Sequence, residues 1–379
     1  MKKNIFITGA TGFVGRNLIA QILNTNPETN LTLLVRGNSQ SDAELRMDGI
    51  LNTIADDIVI SEARKHIEVV VGDVTSDHLG LSPEVYSHLA QKITDIIHSA
   101  ASIEFQHPLP EARLINVGGT ESILKLARQS FQTGNLQRLA YISTAYVCGN
   151  RSGIIYEHDL KCGQQFSNSY EQSKFEAEQI LHHFQTQLPI TIFRPSIIVG
   201  NSDTGKTSAF NVLYYPLKLL SRGVLKFIPG SPQIPLDVVP VNYVCAAICS
   251  ILHSEKGIGQ TFHLTSGPKK VSTLGEILEM AINYFTINIP FNKISTPKFI
   301  SPHVYSVAKH LTFSRTKDTV KRFEQYIPYF HEKKIFDNIN TLNALSEARI
   351  VVPHFSKYFE RLLKYCLEVD WGKRLSYNT

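Results

Sequence analysis

The chain has 379 residues, of which 43% are hydrophobic and 19% charged, as expected for a folded protein with one large domain and a smaller appendage. Its formal net charge of +5 suits anionic ligands such as nucleotides but is too small to indicate a nucleic-acid partner. No apolar run approaches the roughly 18–20 residues of a transmembrane span. The five cysteines form no Cys-x-x-Cys pair and the histidines no metal-like cluster, so we expect a reduced cytoplasmic protein without a metal site.

The first predicted elements are a short apolar strand, a glycine turn and a helix, in the stretch KNIFITGATGFVG. In nucleotide-binding proteins one such glycine makes the tight turn, another lets the backbone approach a pyrophosphate, and a third lets helix pack on strand. The phosphates lie at the amino end of the helix, where free N–H groups favour anions. The spacing is G-x-x-G-x-x-G rather than the commoner G-x-G-x-x-G, and a purely structural loop is the alternative. The predicted cofactor-binding residues of this stretch are Thr8, Gly9, Thr11, Gly12, Phe13, Val14 and Gly15.

Short apolar strands alternate with longer helical stretches along the first half of the chain. The predicted strands cover residues 4–8, 31–35, 67–71, 95–98, 139–143 and 190–194, and the predicted helices cover 12–24, 109–132, 169–187 and the buried segment 238–252. This alternation predicts an α/β fold of the Rossmann type, with a doubly wound parallel sheet between helices. Ligands of such sheets bind beyond the carboxyl ends of the strands. Because the glycine turn follows the amino terminus so closely, no signal peptide is expected.

The second predicted strand is followed by Arg36, about 20 residues after the glycine turn, where NAD-binding proteins carry an acidic residue for the ribose. An arginine there favours the 2′-phosphate of NADP instead, and Arg46 could share that phosphate. An ordinary solvated arginine is the alternative. The residue types therefore predict NADPH as the cofactor.

Two further strand ends carry candidate cofactor residues. Asp73, followed by Val74, could accept a hydrogen bond from the adenine amine, or it could cap the turn after the third strand. After the fourth strand, Ser99, Ala100 and Ala101 are small enough for the cofactor to pass close to the backbone.

The strongest chemical signal is the pair Tyr170 and Lys174, which opens a predicted helix. Residues four apart lie on one helix face, and a nearby ammonium would lower the tyrosine pKa from its ordinary value of ~10, which suits acid–base work near neutral pH. Thr144, at the end of the fifth strand, could hydrogen-bond the substrate oxygen. The spacing also occurs by chance on helix surfaces, but the glycine turn favours catalysis.

These segments together resemble the extended short-chain dehydrogenase/reductase superfamily. More narrowly they resemble its thioester-reducing branch, the fatty acyl-CoA reductases of the male-sterility type and the reductase domains that release carrier-bound acyl chains. The similar segments run from residue 5 to about residue 244 and include TGATGFVGRNLI, IIHSAASIEF, YISTAYVCG, SYEQSKFEAE, ITIFRPSIIVG and PLDVVPVNYV. The glycine turn and Y-x-x-x-K are shared by the superfamily, whereas HSAA, STAY, RPSIIVG and DVVPVNYV are more specific to this branch.

The resemblance implies an NADPH-dependent oxidoreductase that converts acyl thioesters on CoA or acyl carrier protein to aldehydes, and in some members on to alcohols. It implies an NADP-binding domain at 1–270, with a substrate-loop insertion at about 200–240, and a smaller, mostly helical substrate or carrier lobe at 271–379. It assigns Thr144, Tyr170 and Lys174 to a catalytic triad supported by Asn116, which would hold the water network of the lysine. Beside the nicotinamide it places Pro195, Ser196 and Ile197.

Beyond about residue 270 the resemblance weakens, although VDWGKR near the end is similar to the carboxyl-terminal region of the fatty acyl-CoA reductases. Between Lys293 and Lys334 there are nine Lys/Arg and three Asp/Glu. This basic segment could attract an acidic carrier protein, CoA phosphates or an anionic membrane surface, or simply be solvated. Aromatic residues in it could line an acyl tunnel or pack between helices: Phe299, Tyr305, Phe313, Phe323, Tyr326, Tyr329 and Phe330.

Two other functions fit parts of this pattern. One is an NAD(P)-dependent sugar-nucleotide epimerase or dehydratase, or a sterol-type hydroxyl dehydrogenase, of the same superfamily; Arg36 and the RPSIIVG and DVVPVNYV segments disfavour it. The other is a non-catalytic nucleotide-binding sensor, whose known examples usually lack the tyrosine or the lysine.

Overall fold

The computed structural model describes residues 3–54, 64–210, 212–290, 292, 294–301, 303–306 and 322–374. Within these residues seven strands form one parallel sheet in the order β7-β6-β5-β4-β1-β2-β3. The strands are β1 (Asn4–Thr8), β2 (Asn30–Val35), β3 (Ile67–Val71), β4 (Asp95–His98), β5 (Arg138–Ile142), β6 (Ile190–Pro195) and β7 (Thr261–Leu264). The chain winds outwards from β1 in both directions, which confirms the predicted Rossmann-type α/β fold.

Helices flank this sheet on both faces and form a smaller carboxyl-terminal group. They are α1 (Phe13–Thr25), α2 (Gln40–Ile54), α3 (Pro83–Lys92), α4 (Leu109–Arg113), α5 (Gly119–Gln132), α6 (Ser169–Phe184), α7 (Tyr214–Ser221), α8 (Val241–Leu252), α9 (Leu274–Asn288), α10 (Ile339–Leu345) and α11 (Phe359–Glu368). Short 3₁₀ turns lie at Arg64–His66, Ala145–Cys148, Glu255–Gly257, Ile327–Phe330 and Phe355–Lys357. In the described part of the chain, no helix has both the length and the apolar character needed to cross a bilayer.

The six predicted strands lie within one residue of the observed ones, but two predicted helices differ in detail and one strand was not predicted. The predicted helix 109–132 is α4 and α5 joined by a wider π turn at Leu114–Gly118. The predicted helix 238–252 begins with a strand, Val238–Pro240, and becomes helical only after Pro240, because a proline disfavours helix in the residue before it. Strand β7 was not predicted, since its four residues include the buried polar Thr261 and His263.

Short strand pairs surround the main sheet and join distant parts of the chain. Ile197–Val199 pairs in parallel with Val238–Pro240, which brings the RPSIIVG and DVVPVNYV segments together. Gly153–Ile155 pairs with Lys334–Phe336. The remaining pairs are Phe227–Pro229 with Lys298–Ile300, and Pro235–Leu236 with Ser272–Thr273.

Three hydrophobic clusters hold the described residues together. Two cover the opposite faces of the sheet, and Cys245 and Cys249 of α8 are buried in one of them, as predicted. The third is rich in aromatic residues and lies among α7, α9 and α11. Of the basic segment, Lys293, Pro302 and residues 307–321, which include Phe313, lie outside the described residues.

The predicted domain boundary at residue 270 stays a prediction, and the structure shows how later residues return to the sheet. Leu345 and Val352 pack in a sheet-face cluster. The buried carboxylate of Glu157 accepts hydrogen bonds from the backbone N–H groups of His263 (2.8 Å) and Asn340 (2.6 Å) and from the Thr341 hydroxyl (2.9 Å). Glu157 therefore connects the start of α10 to β7.

Candidate active site

The glycine turn between β1 and α1 has a backbone that only glycine fits at two positions. Gly9 has a φ of +73°, and a Cβ there would lie 2.6 Å from the backbone nitrogen of Ala100. A Cβ on Gly15 would lie 2.1 Å from the carbonyl oxygen of Gly9. Gly12 precedes α1 and has no side chain to cap it, so the amino end of that helix is open to an anion. The turn therefore fits the pyrophosphate of a dinucleotide.

Buried polar groups support this turn from below. Thr8 Oγ1 lies 2.7 Å from His98 Nδ1 and accepts a hydrogen bond from the backbone N–H of Ala100 at 3.3 Å. Burial, together with the charge of Lys174, lowers the pKa of His98 to about 3, so this histidine is neutral. The predicted residues Thr8 and Ala100 thus fix the ends of β1 and β4, while the Thr11 carbonyl accepts a hydrogen bond from the Arg16 guanidinium at 2.8 Å.

The candidate nucleotide-end residues follow β2 and β3. Arg36 and Arg46 are both exposed, and Arg46 Nη1 donates a hydrogen bond to the backbone carbonyl oxygen of Arg36 at 3.3 Å, so the Arg46 guanidinium lies beside the Arg36 backbone. Asp73 Oδ1 accepts hydrogen bonds from the backbone N–H (2.9 Å) and the hydroxyl (2.8 Å) of Thr75. Asp73 therefore has the turn-capping role that was its alternative, and Val74 beside it is buried.

A cavity of about 680 Å³ lies along the carboxyl ends of the central strands. Most of the predicted site residues at those ends share its wall: Gly12, Phe13, Val14, Ser99, Ala101, Thr144, Tyr170, Lys174, Pro195, Ser196 and Ile197. Among the described residues, the other predicted positions lie outside this lining: Thr8, Gly9, Thr11, Gly15, Arg36, Arg46, Asp73, Val74, Ala100 and Asn116. The rest of the wall is mostly aromatic and aliphatic and includes Phe105, Tyr146, Ala209, Phe210, Leu213, Tyr214, Tyr215, Tyr326 and Tyr329.

Tyr170 lies in the first turn of α6. Asn168 caps that helix by accepting a hydrogen bond from the backbone N–H of Glu171 at 2.9 Å. Burial raises the pKa of Tyr170 to about 12, even though its hydroxyl is hydrogen-bonded to Thr144, and the nearby charge of Glu171 acts in the same direction as burial. The phenol is therefore protonated at neutral pH and can donate a proton.

The expectation that Lys174 makes Tyr170 more acidic is wrong in this structure. The Lys174 ammonium donates a hydrogen bond to the carbonyl oxygen of Ile142 at 2.7 Å and lies 4.1 Å from the centre of the Tyr141 ring. Burial lowers the pKa of Lys174 to about 7, although the carboxylate of Glu178 opposes that shift. The shared helix face therefore places Lys174 and Tyr170 at one cavity wall, while burial and Glu171 set the tyrosine pKa.

Asn116 lies in the π turn between α4 and α5 and is buried. Its amide accepts a hydrogen bond from the backbone N–H of Ser102 at 2.8 Å and donates to the Ser102 carbonyl at 3.1 Å and to the Ser173 hydroxyl at 2.9 Å. It thus fastens the loop after β4 to α6, next to Lys174. Its role in a water network stays a prediction.

An aromatic group around Tyr170 was only partly anticipated from the sequence. The Phe105 ring stacks with Tyr170 at 5.8 Å and with Tyr329 at 5.9 Å between ring centres. Tyr329 also contacts Tyr146 edge-on at 4.9 Å, and its hydroxyl donates to the Glu171 carboxylate at 2.7 Å. Tyr329 was predicted only as tunnel wall or helix core, and Phe105 was missed because it carries no polar chemistry.

A buried ion pair that sequence reasoning missed joins α6 to β6. Arg194 Nε donates to Glu178 at 2.8 Å, and the Ser143 hydroxyl donates to the same carboxylate at 2.5 Å. Burial would raise the pKa of Glu178, but the Arg194 charge and these hydrogen bonds hold it at about 2. The arginine of the RPSIIVG segment is the sequence feature that could have indicated this ion pair. The pair fixes the helix that carries Lys174 against the strand that precedes Ser196.

Residues 7–248 match the family model described as Male sterility protein, an NAD-binding domain. The chain is 26% identical over 344 residues to fatty acyl-CoA reductase wat of Drosophila melanogaster, a match that covers 80% of this chain and 65% of that protein. It is 29% identical over 274 residues to nonribosomal peptide synthetase asaC of Aspergillus flavus, covering 69% of this chain and 26% of that protein. The chain thus spans less than two thirds of the length of either relative.

The fold has a counterpart among solved structures. The terminal R domain from the myxalamid PKS-NRPS biosynthetic pathway superposes with a TM-score of 0.80 at 23% identity, over 98% of this chain and 92% of that one. The family match includes both the glycine turn and the helix that carries Tyr170 and Lys174. The chain therefore belongs to the NAD-binding family described as Male sterility protein.

Proposed function

We propose that this chain is an NADPH-dependent reductase of acyl thioesters carried on CoA or on an acyl carrier protein. The observation that carries this proposal is a single cavity, whose wall runs from the open end of α1 past Tyr170 to a largely apolar surface. Such a cavity suits a charged dinucleotide at one end and an acyl chain at the other. The names of the relatives, a fatty acyl-CoA reductase and a peptide synthetase, support the same substrate class.

The cofactor assignment is supported by the shape and charge of the turn. Gly9 and Gly15 leave no room for a Cβ, so the tight turn and the close packing of α1 both require glycine, and Gly12 between them is the position where the backbone can approach a pyrophosphate. The adjacent, exposed Arg36 and Arg46 would hold a 2′-phosphate and so favour NADPH over NADH. When bound, the reduced nicotinamide supplies a hydride to the thioester carbon.

The chain itself would supply the proton and the orientation. As the carbonyl oxygen gains charge, the protonated Tyr170 hydroxyl donates its proton to that oxygen, with Thr144 beside it. The resulting hemithioacetal then breaks its carbon–sulfur bond and gives an aldehyde and a free thiol. Repetition with the aldehyde would give an alcohol. Lys174 would orient the cofactor ribose from the same wall of the cavity.

The test is to supply NADPH or NADH with a panel of acyl-CoAs, acyl-carrier proteins and nucleotide sugars, and to follow the loss of cofactor absorbance while identifying the products. We expect thioester-dependent oxidation of NADPH and release of aldehyde or alcohol with free thiol. Turnover of a nucleotide sugar, with no thioester consumed, would reject this proposal in favour of the epimerase or dehydratase alternative.

A further inference from the structure

The VDWGKR turn after α11 lies against the outside of the cavity wall. Asp370, Trp371 and Gly372 all have positive φ angles (43°, 54° and 87°), so the chain folds back sharply there. Trp371 is buried in the aromatic cluster and anchors the turn. A Cβ on Gly372 would lie 2.8 Å from the ring of Phe210, which lines the cavity. The residues beside Gly372 are therefore held next to that wall.

Three separate segments bring four cationic side chains to this place. Asp370 holds Arg222 at 3.7 Å and Lys373 at 3.9 Å. Lys218 lies on α7 four residues before Arg222, the residue that ends this helix, and the first residues of α7 line the cavity. Arg322 lines the cavity itself. We call Lys218, Arg222, Arg322 and Lys373 the cationic cluster.

The other three members of the cationic cluster lie close enough to Lys218 to affect its pKa. The pKa of Lys218 is lowered first by partial burial and then by the positive charges of Arg222, Lys373 and Arg322, while Asp370 opposes the shift. Asp370 is the carboxylate that pairs with Arg222 and Lys373 and acts on Lys218. Repulsion among the cations is relieved by an anion with several oxygen acceptors, and phosphate is the common biological one.

We propose that the cationic cluster binds the 4′-phosphate of a pantetheine arm, on which the acyl thioester enters the cavity. This inference rests on the proposed function and adds that the protein binds the substrate through the phosphate of its pantetheine arm. The thioester end of such an arm must reach Tyr170 while its phosphate stays hydrated near the surface. Both Arg322 and Tyr170 border the one cavity, so its wall offers a cation for the phosphate and an acid for the thioester.

Direct binding tests the site without any turnover. Calorimetry should give a dissociation constant for 4′-phosphopantetheine about tenfold lower than for pantetheine, a preference that weakens as salt is raised because Arg222, Arg322 and Lys373 are exposed. The triple variant Lys218→Gln, Arg322→Gln, Lys373→Gln should bind both ligands equally. A matched control, Lys125→Gln, Lys161→Gln, Lys256→Gln, removes the same charge from other exposed positions and should keep the preference. Equal binding of both ligands by the unaltered protein would overturn the inference.

Turnover separates this inference from the proposed function. With NADPH, the unaltered protein should show a KM about tenfold lower for an acyl-phosphopantetheine than for the same acyl-pantetheine. The triple variant should lose that difference, and acyl-pantetheine, which lacks the phosphate, reports the Tyr170 chemistry separately. A variant that keeps the KM difference, or that slows both substrates equally, would contradict the assignment. Inhibition by CoA and by a phosphopantetheine-bearing carrier, each compared in both proteins, then identifies the source of the arm.

Discussion

The ammonium group of Lys174 donates a hydrogen bond to the backbone carbonyl of Ile142, with 2.7 Å between nitrogen and oxygen. This contact joins α6 to the end of β5, where Thr144 follows two residues later. It also leaves the lysine buried, with its pKa lowered to about 7 by that burial. A buried lysine in this range loses its proton near physiological pH.

The first prediction concerns that proton. A lysine is charged below its pKa, so kcat/KM for NADPH should fall as pH rises through about 7, when Lys174 becomes neutral and no longer attracts the cofactor. The measurement is a pH profile of initial rates at limiting NADPH. The variant Lys174→Arg keeps a charge throughout and should lack this decline. The same decline in that variant would assign it to another group.

The second prediction concerns the proton donor. Tyr170→Phe should reduce kcat by about 10²–10⁴-fold, because the phenyl ring keeps the stacking on Phe105 but has no proton to give. The affinity for NADPH, measured by fluorescence titration, should stay nearly unchanged. The control is Tyr156→Phe at an exposed tyrosine. An undiminished rate in Tyr170→Phe would remove this residue from the mechanism.

The third prediction concerns the choice between NADPH and NADH. Arg36→Asp should lower the ratio of kcat/KM for NADPH to that for NADH by about tenfold or more, because a carboxylate repels the 2′-phosphate and accepts hydrogen bonds from the free ribose. The same charge change at the exposed Lys125 of α5 controls for net charge. A ratio that does not move would show that Arg36 makes no contact with the phosphate.

The fourth prediction compares two glycines. Gly15→Ala should weaken cofactor binding and lower the melting temperature, because the new Cβ would lie 2.1 Å from the Gly9 carbonyl oxygen and push the turn apart. Gly49→Ala, within α2 and with no atom near its added Cβ, should instead raise the free energy of unfolding by about 0.5–1 kcal/mol. Thermal unfolding and NADPH titration of both variants check this. Equal effects would show that the turn tolerates the added carbon.

The features that the sequence predicted best are those that depend on the local pattern of apolar residues and glycines. Buried parallel strands have apolar runs, so β1 to β6 and the glycine turn were found within one residue. Strand β7 was not predicted because its buried residues Thr261 and His263 are polar, and hydrogen-bond partners distant in the sequence make their burial possible. The acidity of Tyr170 was misjudged for a similar reason. Helical spacing places Lys174 on the correct face, but burial and the Ile142 carbonyl decide where its charge acts.

Helix α10 begins without a side-chain cap of its own, and the carboxylate of Glu157 fills that place by accepting from the amides of Asn340 and Thr341. The residue that caps the start of this helix, Glu157, therefore lies more than 180 positions earlier in the chain. A chimera that took its last third from a relative would inherit a helix whose anchor belongs to the other parent. Such a chimera would keep this cap only if the parent that supplies the earlier part of the chain has an acidic residue at position 157.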